Sequence, residues 1–197
     1  MSPLTHLFAS WIVAAKTTDN LRDRRLVTLA GVVPGLDGLG ILVDIAQGAN
    51  ASGKFPYYQE YHHMWTHGLP AAIVCSLIMA ALAQRRWRVL ALSLVTFHLH
   101  LLCDLIGSRG PNIYDNWAIY YFAPFRIFPI WSWPYQWPMD GWQNRVLTIA
   151  LLLWAMSLAV KMGDSFVGVF NRRCDRVFVG VLRKCHEKLW PTVPARS

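Results

Sequence analysis

Apolar residues along this chain gather into long runs separated by short basic clusters, with no sustained strand-like alternation. Thr66–Ala83 and Val89–Gly107 are about as long as a bilayer core demands of a helix. Val146–Val160 is shorter but is flanked by Arg145 and Lys161, whose stems let the charges reach the headgroups. A fourth run, Leu26–Gln47, is interrupted by Gly31, Pro34, Gly35, Asp37, Gly38 and Gly40. It predicts a broken or re-entrant helix, tolerated at membrane depth only when buried in protein or lining a wet cavity. Leu7–Ala15 predicts a short retained helix, since no positive stretch of a secretory signal precedes it.

Residues 108–144 hold no run long enough to span. They are rich in aromatics such as Trp117, Tyr121, Trp131 and Trp137, and Pro111, Pro124, Pro129, Pro134 and Pro138 exclude a continuous helix. Such a segment suits an aromatic belt at the outer interface, and equally a lid over a site that touches a lipid-like substrate. Beyond it, Val167, Phe170, Cys174, Val177, Val181, Cys185 and Leu189 recur at helical spacing with Arg and Lys between them. That pattern predicts an amphipathic helix lying on the membrane. The expected fold is all-α: a polytopic membrane helical bundle with about four membrane-embedded helices, an aromatic-rich outer loop and a C-terminal amphipathic helix. The expected division is a membrane-embedded part, 1–162, and a basic cytoplasmic tail, 163–197.

Composition agrees. The chain has 197 residues, 54% of them hydrophobic and only 15% charged, with a mean hydropathy of +0.28. A soluble domain carries about 25% charged residues. The net charge of +8 would suit nucleic acid, but eight of the nineteen Lys and Arg fall in the last 37 residues, after the apolar runs. Membrane lipid, anionic in particular, is therefore the expected partner, and nucleic acid is not. Cys75, Cys103, Cys174 and Cys185 show no C-x-x-C spacing, so neither a disulfide framework nor a cysteine zinc site is supported. Arg22–Arg25, Arg85–Arg88 and the tail after Lys161 are the main basic clusters, and the positive-inside tendency puts all three in the cytoplasm. With that orientation Asp37, His62–His67, His100 and Asp104 fall in the outer half of the membrane or at its outer surface. His6 joins them if its helix dips inward.

Six of the seven histidines lie between positions 6 and 100. An Asp at the centre of a spanning helix costs about 2.5–3.5 kcal/mol on insertion scales unless something pairs with it. A bound cation would account for the clustering. His100 and Asp104 are four apart and share a helix face, whereas His98 points away from it. The competing reading of His100 and Asp104 is a hydrogen-bonded pair that packs two helices. Pro70 favours a helix beginning near His67 with Thr66 as its N-cap. That leaves His62 and His63 in the preceding loop, where spacing does not choose between them. Asp37 sits on a turn of glycines that allows close backbone approach.

The order Thr5-His6, Pro34-Gly35-Leu36-Asp37, His62-x4-His67 with Thr66, and His100-x3-Asp104 before a Gly/Pro-rich stretch resembles the YdjM-like family. Its members are bacterial inner-membrane proteins described as LexA-regulated, metal-dependent hydrolases. The resemblance covers roughly residues 1–145. It implies an inner-membrane location and a ligand set of His6, Asp37, His62, His67, His100 and Asp104 for a divalent metal, zinc by expectation. Six ligands exceed one four-coordinate zinc site, so either two ions bind or some residues act from outside the coordination sphere. Such a metal would lower the pKa of water to about 7. Asp37 or Asp104 would take the proton as the catalytic carboxylate, and Arg109 or Arg126 could hold an anionic group. The family pattern Pro-Asp-x-Asp-His reads with Gly35 and Gly38 here, removing two ligands, and His63 or Glu60 is the residue left to compensate. The expected activity is hydrolysis of an ester or phosphoester, of a lipid by preference. Two alternatives stay open: a non-enzymatic membrane protein binding metal or haem, and a structural subunit whose polar residues bond helices together.

Overall fold

The computed structural model describes residues 1–48, 57–58, 62, 65–110 and 114–189. Seven α-helices run through them: α1 Pro3–Thr17, α2 Leu21–Ala30, α3 Gly40–Ala46, α4 Leu69–Leu82, α5 Arg86–Gly107, α6 Trp142–Met162 and α7 Arg172–Leu189. Short 3-10 helices occupy Val33–Leu39 and Phe166–Val169. The described residues hold no strand, only isolated bridges within the aromatic segment, such as Ile119 with Trp131.

Local chemistry sets several boundaries. Pro3 opens α1, and the Ser2 side chain accepts the Thr5 N–H, which fixes His6 one turn into the helix. Asn20 caps α2 through the N–H groups of Arg22 and Asp23. Asp23, fully buried, reaches across to accept the backbone N–H groups of Gln84 at 2.9 Å and Arg85 at 3.0 Å, tying α2 to the α4–α5 corner. Gly163, at φ 79°, ends α6 in the left-handed conformation that glycine allows.

α4 lies along α5, and α1 packs against α2, α5 and α6. Small residues bring the backbones close: Ala15 of α1 shares a buried cluster with Ala155 and Ala159 of α6. The interior mixes small polar residues with apolar ones, and much of the surface is apolar. Thr5, Ser10, Thr28, Ser93 and Thr96 are buried, whereas Val74, Leu77, Ile149 and Leu153 point outward. In water that surface would be costly, and in lipid it is the expected one.

α5 and α6 are long and apolar enough to cross a membrane. α2 and the segment Val33–Ala46, bent by 51° at their junction, pass the same test as a pair, which realises the broken helix expected from the glycines. α4 is apolar but has only 14 residues. The expectation of about four membrane-embedded helices therefore exceeds the two, or three with the bent pair, that length and composition support among the described residues. The N-cap expected at Thr66 is also corrected. α4 begins at Leu69 with Gly68 before it, and the Thr66 hydroxyl instead donates to the Pro34 carbonyl. The amphipathic helix is present as α7, though it starts at Arg172 and turns Asp175 and Val179 toward the bundle. Phe170, Val177, Val181 and Leu189 stay exposed.

Candidate metal centre

Three elements carry the polar cluster inward. α1 brings His6, the 3-10 helix brings Asp37, and α5 brings His100 and Asp104 on adjacent turns. The stretch before α4 adds His62 and His67. His6, His67, His100 and Asp104 are all at most 4% exposed. The six side chains singled out from the sequence lie in one connected cluster, of which His6, His100 and Asp104 offer ligand atoms all within 4.8 Å of one another. Asp104 sits at the centre: His6 Nε2 lies 3.1 Å from Oδ1, His100 Nε2 3.1 Å from Oδ2 and His67 Nε2 3.3 Å from Oδ2. Ser108 donates to Oδ1 at 2.8 Å, and the Met1 amino group lies on the same oxygen. Asp37 joins through the other side of His67, with Oδ2 2.9 Å from Nδ1, while its Oδ1 stands 2.6 Å from His62 Nδ1.

Proton bookkeeping shows what the cluster lacks. The Gly31 carbonyl can only accept, so at 2.8 Å it fixes the His100 proton on Nδ1. In the neutral ring Nε2 then presents a lone pair to a carboxylate oxygen. Two acceptors face each other with little solvent between, and only a proton or a metal cation resolves that. The His6 ring stacks on His100 with centroids 3.6 Å apart, and His6 Nδ1 is buried without a hydrogen-bond partner among the described residues. His6, His100 and Asp104 each offer an atom within 4.8 Å of the others and could together hold a metal ion. His6 Nε2 and His100 Nε2 each stand 3.1 Å from a different oxygen of the Asp104 carboxylate, so both rings reach the same group. Two imidazoles and a carboxylate are a donor set suited to zinc, and the Gly31 bond orients one ring from behind.

A cavity of about 460 Å³ opens beside these groups. Leu36, Leu39 and Met139 give it apolar walls, and His6, His62, His100 and Asp104 its polar floor. Gly35 and Gly38 face it. A Cβ at Gly35 would lie 3.5 Å from His100 Cε1, and one at Gly38 3.3 Å from His62 Cε1. The two departures from the family pattern thus stand where a longer side chain would enter the cluster.

Residues without a sequence signal also contribute. Tyr58 lines the cavity and stacks on His62 at 4.6 Å, held by Asp44, which accepts the N–H groups of Tyr57 and Tyr58. Burial, and then the charges of Asp104 and Asp37, push its hydroxyl above the usual 10, so it remains a donor at neutral pH. Trp117 of the aromatic segment packs edge-on against His62 with ring centroids 5.1 Å apart, so this segment touches the cluster. Ser108, missed in the sequence, lies four residues after Asp104, and that i, i+4 spacing is the signal that would have found it. His98 lies outside the cluster, donating to the Leu94 carbonyl and bonding Tyr121 at 2.8 Å. Neither Arg109 nor Arg126 lines the cavity. His63, Glu60 and Pro111 lie outside the described residues.

A helical bundle with lipid-suited flanks around a buried histidine–aspartate cluster defines an integral membrane protein with a site that could hold a metal ion. Residues 1–166 match the family model described as YdjM inner membrane protein, and the chain belongs to that family. No curated protein and no solved structure matches it.

Proposed function

We propose that the protein is a metal-dependent hydrolase of the inner membrane, with His6, His100 and Asp104 holding one zinc ion. The lone pair of His100 Nε2 facing the Asp104 carboxylate carries this reading, because the pair needs a proton or a metal cation between its two acceptors, and a bound ion supplies the latter. When bound, the ion supplies Lewis acidity, which eases proton loss from water near neutral pH and polarises the oxygen under attack. The protein's own groups do the rest. His67 Nε2 faces the cluster while Asp37 Oδ2 holds Nδ1 from behind, the geometry of a base and its orienting carboxylate. A proton released in the cavity passes to that pair, with Asp37 stabilising the imidazolium. Tyr58 donates to a substrate oxygen. The apolar walls take an acyl chain, which makes an ester or phosphoester of a lipid the substrate class. His62 then acts through Asp37, so one ion suffices for six residues. The basic clusters and α7 face the cytoplasm and the cluster faces the outer leaflet, in a multi-pass arrangement.

Haem is disfavoured by a specific feature. Axial imidazoles approach iron from opposite faces of a porphyrin, whereas the His6 and His100 rings stack directly at 3.6 Å with no slot between them. The test is turnover of chromogenic acyl ester and phosphodiester by detergent-purified protein, chelated and then reloaded with zinc. Zinc-dependent hydrolysis lost in Asp104→Ala and His100→Ala is expected. Activity that is absent in all forms, or indifferent to chelation, overturns the proposal.

A further inference from the structure

A second cavity, of about 360 Å³, lies between α2, the 3-10 helix Phe166–Val169 and α7. Its volume falls within the range of about 300–1,000 Å³ typical of small-molecule sites. Arg24, Arg25, Arg172 and Arg176 line it, against only Asp164 and Asp175. Both carboxylates are engaged. Arg24 Nη1 grips Asp164 Oδ2 at 2.6 Å, and Asp175 accepts the N–H of Ser165 at 3.0 Å as well as its hydroxyl. Among the described residues Arg25, Arg172 and Arg176 make no ion pair. Arg24 is 5% exposed, and its buried Nε–H has no acceptor among the described residues. Three unpaired guanidinium groups and an orphaned donor around one concave site call for an anion with several oxygens, and planar guanidinium groups match phosphate best.

The surroundings indicate what carries that phosphate. Trp11 and Val169 form apolar wall, and exposed Leu21, Phe170 and Val177 lie on the neighbouring elements. A soluble phosphate has no use for them, whereas acyl chains do. We propose that this cavity binds the phosphate of an anionic phospholipid and thereby seats α7 on the bundle. Arg172 and Arg176 lie beyond residue 166, where the family match ends, whereas Arg24 and Arg25 lie within it, so the cavity forms where this chain's own extension meets the family part. It does not rest on the metal reading.

Delipidated full-length protein in neutral detergent is titrated with phosphatidylglycerol, phosphatidylcholine or inorganic phosphate, with thermal stabilisation as the readout. Phosphatidylglycerol is expected to stabilise the protein saturably, and the other two not. Combined R25Q, R172Q and R176Q substitutions are expected to weaken that effect about 100-fold, roughly fivefold per charge. The matched set R173Q, K184Q and K188Q, which removes equal charge from outside the cavity, is expected to weaken it less than about tenfold. R172Q and R176Q alone, at exposed positions, decide the matter if the triple variant does not fold. Equal losses in the two sets, or no response of the wild type to phosphatidylglycerol, overturn the site. Equal stabilisation by inorganic phosphate overturns the lipid as its source.

Discussion

Gly31→Ala tests whether backbone packing behind His100 governs the cluster. Gly31 has φ −82° and ψ −2°, a conformation any residue adopts, so alanine brings no backbone strain. Its Cβ, however, would lie 2.0 Å from Ser10 Oγ, 2.7 Å from Ser10 Cβ and 3.1 Å from Thr96 Cβ. α1 and the end of α2 must separate to admit it. Overpacking of this kind costs about 1–3 kcal/mol, and two contacts below 3 Å place this site at the upper end. The same displacement moves the Gly31 carbonyl away from His100 Nδ1, now 2.8 Å distant. Loss of such an orienting bond weakens metal binding about 10–100-fold. Thermal unfolding in detergent reads the first effect and zinc titration against a competing chelator the second. Ser10→Gly removes the clashing atoms, so the double variant should recover at least ~1 kcal/mol relative to additivity. Wild-type stability and zinc affinity in Gly31→Ala, or strict additivity with Ser10→Gly, would refute the close approach.

Asp23→Ala strands the N–H groups of Gln84 and Arg85 in a buried corner, and should lower unfolding stability by about 3 kcal/mol without changing zinc content. Asp37→Asn keeps the three proposed zinc ligands but removes the charge behind His67; hydrolysis should fall about 10²–10⁴-fold in turnover assays while most of the metal is retained. His98→Ala should cost about 1 kcal/mol of stability through the lost Tyr121 bond, with zinc affinity unaffected. Gly35→Asp, which restores the family pattern and directs a carboxylate toward His100, should tighten zinc binding, as isothermal titration would show.

The helices were legible because their apolar runs are long and their flanks charged. α5 and α6 match the runs Val89–Gly107 and Val146–Val160 and extend them at their starts. The i, i+4 spacing of His100 and Asp104 showed one face of the cluster directly, and the cost of charge at membrane depth pointed to Asp37. Thr66 was misread because its hydroxyl has two local uses, capping a helix or bonding a distant carbonyl, and only the fold puts Pro34 within its reach. For the same reason the Gly31 carbonyl and Tyr58 left no trace in the sequence: their roles depend on which backbone approaches which ring. In α7 the outward apolar residues dominate the pattern, so the inward side with Asp175 and Val179 was hidden behind them.

Elemental analysis of the purified protein, wild type beside His6→Ala, His100→Ala and Asp104→Ala, probes the centre most directly. About one zinc per chain in the wild type, lost in each variant while the helical content stays, is the expected result. Equal metal content in all four proteins, or none in the wild type after purification in zinc, would contradict a metal centre built on these three side chains.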